Sequence, residues 1–237
     1  QTPNNKDVSA ADQEIIAEAL QYSMTNFDRL FVLMEAVRHI ERRGIPGAFV
    51  ECGVWRGGSI LAMLRTLLAL GVTNRDFYLY DTFEGMTAPT EVDVSAYHGS
   101  ALAAWKSAVG KGERAWNELF NEKVFNEEDV RRVLLSTGYP SERLHFVKGT
   151  VEQTIPATVP DAIALLRLDT DWYESTRHEM QHLYPLIAQG GVLIIDDYGH
   201  WDGCRKAIDE YFSAGHTPPM LLNRVEYSCR IGVKDGV

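Results

Sequence analysis

The sequence predicts an α/β fold in which helices cover both faces of a doubly wound, mostly parallel β-sheet. The clearest observation is a pair of near-continuous apolar runs at residues 163–168 and 192–195, as expected for parallel strands buried on both faces. Between them, residues 172–189 carry apolar side chains at helical spacing, which predicts a helix packed on the sheet. A second observation is a glycine-rich turn that links a predicted strand at residues 48–52 to an apolar helix at 60–70.

Composition is consistent with one α/β domain, and we treat residues 1–237 as a single domain. A formal charge of −10 argues against a nucleic-acid partner, since binding phosphates requires basic surface. The sequence has no apolar run of about 18 residues, so no membrane span is expected. Three cysteines without zinc-finger spacing, and a polar N-terminus without the apolar core of a signal peptide, predict a cytoplasmic protein with reduced thiols.

Residues 1–46 are expected to form an N-terminal arm followed by helices at residues 12–20 and 26–43. The second helix has one continuous apolar face, which is expected to contact either the core or another subunit. Met24 and Arg29 lie at the start of this helix, where they can reach a pocket.

Two strand ends carry residues that are typical of a cofactor pocket. The turn after the first strand reads ECGVWRGG over residues 51–58, and its glycines allow a ligand to approach the backbone at a helix N-terminus. Its spacing is not the G-x-G-x-x-G of dinucleotide-binding folds, so a dinucleotide is a less favoured cofactor. Asp81 ends the next predicted strand, at residues 76–80, where an acid in such folds accepts both ribose hydroxyls. The alternative is an ordinary turn residue.

Residues 87–139 interrupt the alternation of strands and helices, and we expect a mainly helical insertion there. At the ligand edge of a sheet, such an insertion is typically a lid or a substrate wall. The alternative is a helical pair that only packs on a neighbour. After it, residues 143–147 predict a third strand, and Gly149, Thr150 and Val151 follow where they could contact an adenine ring.

Four aspartates follow the two apolar strands described first. Asp169 and Asp171 come after one strand, and Asp196 and Asp197 come after the other. If the strands are parallel neighbours, their ends lie about 5 Å apart at the same edge of the sheet. Carboxylates this close need a cation, and oxygen ligands without nearby His or Cys favour Mg²⁺. The alternative assigns Asp171 to a helix cap and Asp197 to a turn.

The chain resembles the macrocin O-methyltransferases, which use S-adenosylmethionine and Mg²⁺ to methylate sugars in antibiotic biosynthesis. The matching segments, in order, are ECGVWRGGS at residues 51–59, LYDTFEG at 79–85, LRLDTDWYEST at 166–176 and GGVLIIDDYG at 190–199. The resemblance extends over about residues 23–212. It implies a class I methyltransferase sheet, which is Rossmann-like and has an antiparallel last strand. The predicted strand pair at residues 220–224 and 228–233 fits this end of the sheet.

The resemblance also implies roles for individual residues. Asp169, Asp196 and Asp197 would bind the metal, and Asp171 would act as the general base. Glu51, Gly53 and Asp81 would belong to the cofactor pocket. Together with the positions described above, we predict that this pocket also contains Val54, Gly57, Ser59, Thr82, Gly149, Thr150, Val151, Met24 and Arg29.

We therefore expect a homo-oligomeric enzyme that methylates a sugar hydroxyl of a small, glycosylated natural product. The main alternative is a catechol-type or phenolic O-methyltransferase, although such enzymes typically have Asn at the position of Asp197. A non-catalytic binding module and a nucleotide-dependent oxidoreductase are further alternatives. Thr170, where the family usually has Gly, departs from the family pattern, as does the insertion at residues 87–139. His200 is a second candidate base, beside a structural role at a helix start.

Overall fold

The computed structural model describes residues 5–121, 123–215, 218 and 220–235. The predicted N-terminal arm therefore lies partly outside the described residues. The strands are β1 (Ala48–Cys52), β2 (Phe77–Asp81), β3 (Val94–Ser95), β4 (Gly99–Ser100), β5 (Leu144–Lys148), β6 (Ile163–Leu168), β7 (Ile187–Ile195), β8 (Asn223–Arg224) and β9 (Arg230–Val233).

Seven of these strands form one mixed sheet in the order β5-β2-β1-β6-β7-β9-β8. The first five in that order pair in parallel, whereas β9 is antiparallel to β7 and β8 is antiparallel to β9. The predicted doubly wound, mostly parallel sheet with an antiparallel end is therefore confirmed. The short strands β3 and β4 form a separate hairpin.

Helices cover both faces of the large sheet. They are α1 (Ala10–Ala19), α2 (Phe27–Arg43), α3 (Gly58–Ala69), α4 (Ala101–Gly110), α5 (Asn117–Phe120), α6 (Glu127–Leu135), α7 (Val151–Thr154), α8 (Tyr173–His182) and α9 (Asp202–Ser213). Successive residues of β1 point to opposite faces, as the pleat requires. Phe49 belongs to the apolar cluster with α1, α2, α3 and α6, and Val50 belongs to the cluster with α8 and α9.

The apolar face of α2 is part of the core. Leu30, Met34, Val37 and Ile40 are fully buried there, and α2 packs on α3 and on the sheet. The helix ends at Gly44, which adopts the left-handed conformation (φ 62°) that glycine accepts without steric cost. Of the two expectations for this face, contact with the core is confirmed.

The helix that connects β6 to β7 is shorter than predicted. The helical spacing predicts a helix to residue 189, but α8 ends at His182 and a 3₁₀ turn at Tyr184–Leu186 follows. Pro185 explains the early end, because its backbone nitrogen cannot donate a hydrogen bond within a helix. Ile187 then pairs with Ile163, so β7 begins five residues before the predicted strand at 192–195.

The insertion at residues 87–139 contains α4, α5 and α6, as predicted, and also the unpredicted β3–β4 hairpin. It is fastened to the large sheet through α8. The indole nitrogen of Trp172 donates to the carbonyl oxygen of Thr87 at 3.0 Å, and Asp93 accepts from the backbone nitrogen of Tyr173 at 2.8 Å. One end of the insertion is thus held beside the carboxyl ends of the strands.

Across the described ranges, the structure contains no helix that is long and apolar enough to cross a membrane.

Candidate active site

The carboxyl ends of the central strands meet at one edge of the sheet. The backbone nitrogen of Asp196 donates to the carbonyl oxygen of Leu168 at 2.9 Å, and that of Asp169 donates to Cys52 at 2.9 Å. The strands that carry the aspartates are therefore parallel neighbours, as predicted. Residues that follow β1, β6 and β7 are brought together at this edge.

Three carboxylates at this edge form a compact group. Asp169, Asp171 and Asp197 each offer an oxygen, and these oxygens lie within 4.8 Å of one another. Asp197 is buried, and its Oδ2 atom has no hydrogen-bond partner among the described residues. An unpartnered buried oxygen beside two further carboxylates fits a hard divalent cation, which prefers oxygen ligands.

Asp171 does not cap α8, which was the structural alternative for this residue. Its backbone is left-handed (φ 68°), a conformation that is uncommon outside glycine, and its carboxyl is hydrogen-bonded to that of Asp197. The first turn of α8 is instead capped by Asp93, whose Oδ1 atom accepts from Tyr173. The side chain of Asp171 is thus free of a capping role and faces the other acids.

Burial and mutual repulsion favour protonation of this carboxylate group. Burial raises the pKa of Asp171 to about 7, although the hydrogen bond from Asp197 opposes this rise. Burial and the charges of Asp171 and Asp196 raise the pKa of Asp197 well above its ordinary value. Burial also raises the pKa of Asp169, although Arg167 opposes the rise. A bound divalent cation would reverse these shifts, because it stabilises the charged form.

Asp196 lies apart from this compact group because two arginines hold it. Arg167 Nη2 donates to Asp196 Oδ1 at 2.6 Å, and Arg29 forms an ion pair with Asp196 Oδ2. Arg29 also donates to Glu226 Oε1 at 3.0 Å, so it links α2, the end of β7 and the β8–β9 turn. Both oxygens of the predicted ligand Asp196 are therefore engaged by guanidinium groups.

Arg167 is a buried cation at the centre of the acids. It has only 4% of its side chain exposed, and its guanidinium contacts Glu51 at 2.5 Å, Asp169 at 2.7 Å and Asp196 at 2.6 Å. Glu51 Oε1 takes this contact, whereas Glu51 Oε2 is buried without a partner among the described residues. Burial raises the pKa of Glu51 to about 7, although the charge and hydrogen bond of Arg167 oppose the rise.

The glycine-rich turn is held in place by Asp81. Asp81 Oδ2 accepts from the backbone nitrogens of Val54 and Trp55 at 2.8 and 2.9 Å, and Oδ1 accepts from Phe83 at 2.7 Å. Gly53 cannot be replaced without movement, since a Cβ atom there would lie 2.0 Å from the carbonyl oxygen of Asp169. The turn and the acids are thus in direct contact.

Most of the predicted cofactor residues line two adjoining cavities at this edge. The smaller cavity is lined by Met24, Gly53, Asp81, Thr82, Gly149, Thr150 and Val151, together with Asp169 and Asp171. The larger cavity is lined by Met24, Arg29, Glu51, Val54 and Ser59, together with Asp169, Asp171, Asp196 and Asp197. Gly57 faces elsewhere, since a Cβ atom there would meet Val130 and Leu134 of α6.

The larger cavity, of about 540 Å³, has a wall of aromatic side chains. The aromatic residues that line it are Tyr22, Trp55, Trp116, Phe120, Trp172, Trp201, Tyr227, His98 and His200. The insertion contributes His98, Trp116 and Phe120 to this wall. These three residues therefore lie where the predicted substrate wall would be. His200, the second candidate base, is half-buried, and its Nδ1 atom lies 2.9 Å from the hydroxyl of Tyr227.

Sequence reasoning missed three residues at this site, and the signals for them differ. Arg167 could have been noticed, because it is the one charged residue in the apolar run of β6. Asp93 and Glu226 lie far along the chain from the residues they contact, Tyr173 and Arg29. Their roles depend on contacts that no local pattern encodes.

Comparisons with known proteins identify the family of this chain. A family model described as macrocin-O-methyltransferase (TylF) matches residues 4–230. The demethyldecarbamoylnovobiocin O-methyltransferase of Streptomyces niveus is 32% identical over 190 residues, which are 80% of this chain and 67% of that protein. The 8-demethyl-8-(2,3-dimethoxy-alpha-L-rhamnosyl)-tetracenomycin-C 4'-O-methyltransferase of Streptomyces olivaceus is 34% identical over 193 residues, which are 81% of this chain and 68% of that protein.

The fold is also similar to that of a solved O-methyltransferase. The O-methyltransferase NovP superimposes on this chain with a TM-score of 0.75 and 29% identity, covering 91% of this chain and 83% of that chain. The match to the family model spans nearly the whole chain, and the sheet has the strand order described above. The chain belongs to the macrocin O-methyltransferase (TylF) family and is an S-adenosylmethionine-dependent O-methyltransferase.

Proposed function

We propose that the enzyme transfers a methyl group from S-adenosylmethionine to a sugar hydroxyl of a glycosylated natural product, with Mg²⁺ as its metal. The observation that carries the proposal is the group of Asp169, Asp171 and Asp197, whose oxygens converge beside the cavities that the cofactor and acceptor would share. The name of the Streptomyces olivaceus relative gives a rhamnosyl derivative of tetracenomycin as its acceptor, which supports a glycosylated acceptor.

The cofactor residues that we propose surround the glycine-rich turn. Glu51 Oε2, which is buried and unpartnered among the described residues, fits the cationic amino group of the methionyl part. Asp81 Oδ2 already accepts two amides, whereas Oδ1 accepts one amide and only a long contact of 3.5 Å from the Thr82 hydroxyl, so Oδ1 is the atom that would accept a ribose hydroxyl. Thr150 and Val151, which line the smaller cavity, would contact the adenine ring.

We propose Asp169 and Asp197 as the metal ligands, with their oxygens already directed at a common point. When bound, Mg²⁺ lowers the pKa of a coordinated sugar hydroxyl and fixes its orientation. Asp196, a third ligand in the sequence prediction, has both oxygens engaged by Arg29 and Arg167. We therefore assign it the role of anchoring these arginines beside the ligands.

Asp171 is the general base in this proposal. It accepts the proton of the acceptor hydroxyl while the hydroxyl oxygen bonds to the methyl carbon and the sulfur–methyl bond breaks, which leaves S-adenosylhomocysteine. Burial alone favours the protonated form of Asp171, and a cation bound beside it would keep the carboxylate in the charged form that accepts a proton.

A panel of acceptors tests the proposal. The panel contains methyl rhamnoside and 2-naphthyl rhamnoside, since one relative's name includes a rhamnosyl group, together with catechol. Methyl transfer is measured with Mg²⁺ and with EDTA. We expect a rhamnoside to be methylated only in the presence of Mg²⁺. Methylation of catechol but of neither rhamnoside would favour the phenolic alternative, and transfer that EDTA leaves unchanged would exclude the metal.

A further inference from the structure

We infer that Tyr97, His200 and Tyr227 form an aromatic shelf that binds an apolar, uncharged ring of the aglycone while the sugar lies at the aspartates. The inference rests on the proposed function and adds residues that determine acceptor specificity. The shelf would favour an uncharged aglycone ring over the nucleotide diphosphate of an activated sugar.

The three rings of the shelf are ordered by mutual contacts. The ring centroids of Tyr97 and His200 are 5.6 Å apart with planes only 2° from parallel, so the rings are stacked. Tyr227 meets Tyr97 edge-to-face at 5.3 Å, and its hydroxyl lies 2.9 Å from His200 Nδ1. Contacts of this kind hold side chains that would otherwise be mobile on the surface, so the shelf is a preformed surface.

The shelf is exposed, unlike the aromatic residues of the core. Tyr97 is 66% exposed and Tyr227 is 40% exposed, whereas Trp201 below them is 7% exposed. A cluster of exposed aromatic rings next to a cleft is the usual mark of a binding surface. His200 and Tyr227 also line the larger cavity, so the shelf continues the wall that leads to Asp197.

Charge at this wall selects against a phosphorylated acceptor. The acids that line the larger cavity are Glu51, Glu118, Asp169, Asp171, Asp196 and Asp197. Arg29 is held by Asp196 and Glu226, and Arg230 donates to backbone carbonyls at residues 226–229. Neither arginine is free to bind a diphosphate, which needs unpaired cations. A neutral ring stacked on Tyr97 is not repelled by these acids and needs no cation.

The test compares two acceptors that differ only in the aglycone, 2-naphthyl rhamnoside and methyl rhamnoside. For the wild-type enzyme we expect a higher kcat/KM with the naphthyl glycoside. In Tyr97→Ala, we expect this preference to fall about tenfold, the factor that corresponds to one aromatic stacking contact. The loss should lie in KM, with kcat for the naphthyl glycoside within about twofold of wild type.

Two further variants separate the shelf from a general structural effect. Tyr227→Ala should reduce the preference as Tyr97→Ala does, whereas Tyr227→Phe keeps the ring and should retain most of it. Val109→Ala, which truncates an exposed side chain on α4 in the same insertion, is the control and should behave as wild type.

Three results would overturn the inference. The first is an unchanged preference in both alanine variants. The second is a wild-type enzyme that prefers a thymidine diphosphate ester of rhamnose over the naphthyl glycoside. The third is a change of oligomeric state in Tyr97→Ala, seen by light scattering with the preference intact, which would make the shelf a subunit contact. Methylation of catechol without either rhamnoside would instead contradict the proposed function itself.

Discussion

At the scale of single residues, we assign Asp171 the role of general base, which its place among the other acids supports. Asp171→Asn keeps the size of the side chain but removes the base, so we expect turnover to fall roughly 10²- to 10⁴-fold. Binding of S-adenosylhomocysteine and of Mg²⁺, measured by calorimetry, should be retained. Asp202→Asn, at an exposed aspartate that pairs with Arg205, is the matched control. Full activity in Asp171→Asn would remove Asp171 from this role.

Arg167 is the residue on which the stability of the site depends most. Arg167→Met leaves Glu51, Asp169 and Asp196 without their shared cation, and breaking a buried ion pair costs roughly 3–5 kcal/mol. Urea denaturation should show this loss in the free energy of unfolding. Arg205→Met removes an exposed ion pair and should cost at most about 1 kcal/mol. Equal effects of the two substitutions would contradict the central position of Arg167.

The pKa of Asp171 predicts a dependence of stability on pH and metal. Because burial raises this pKa from 3.8 to about 7, the folded protein holds a proton between these pH values that the unfolded chain releases. The contribution of Asp171 to stability is therefore lost as the pH rises through about 7 in the absence of a metal.

Saturating Mg²⁺ should replace this proton, so its stabilising effect should be larger at about pH 8 than at about pH 6. Urea denaturation at both pH values, with EDTA or with Mg²⁺, measures this difference. Asp171→Asn should reduce the pH dependence in EDTA. A stabilisation by Mg²⁺ that is the same at both pH values would contradict the assignment of the cation to this group.

At the scale of elements, Asp93 connects the insertion to the start of α8 by a hydrogen bond. It is fully buried, accepts from Tyr173 at the start of α8, and accepts from both the backbone nitrogen and the hydroxyl of Thr90. Asp93→Ala removes a helix cap and leaves buried donors unpaired, so we expect a loss of roughly 2 kcal/mol in unfolding free energy.

Hydrogen exchange shows whether this loss is local. Amides of residues 88–104 should exchange faster in Asp93→Ala, whereas those of α2 should lose no more protection than the global destabilisation explains. Asp209→Ala, at an aspartate on α9 that accepts from Tyr198, is a suitable control. Unchanged exchange in residues 88–104 would mean that other contacts hold the insertion.

Local patterns predicted the large elements because a strand that is buried on both faces of the sheet has a continuous apolar sequence. The apolar runs of β6 and β7 and the glycine-rich turn before α3 gave the parallel sheet, and Gly44 marked the end of α2. The β3–β4 hairpin was missed because strands of two residues carry no periodicity. The end of α8 was placed too late because helical spacing in residues 172–189 outweighed the signal of Pro185.

The site was predictable in its location and less so in its pairings. The aspartates follow parallel strands, and the carboxyl ends of parallel strands lie at one edge of the sheet. The edge where the aspartates meet could therefore be predicted. Which of them the arginines occupy depends on Arg29, 167 residues away from Asp196 along the chain, and on the buried Arg167. Contacts over such separations are set by packing of the whole fold, and no local pattern contains them.

At the scale of the whole molecule, the fold brings the cofactor turn, the acids and the insertion to one edge of the sheet. The homo-oligomer expected from the sequence stays a prediction, which light scattering can check. The apolar face of α2, which would have supported it, is occupied within the subunit.

The central claim is that this edge holds a divalent cation between Asp169 and Asp197 beside the methyl donor. Crystals of the enzyme with S-adenosylhomocysteine and Mn²⁺, an ion that an anomalous difference map identifies, test it most directly. We expect one strong peak within coordination distance of both carboxylates. An active enzyme whose peak lies elsewhere, or that shows no peak at saturating Mn²⁺, would contradict it.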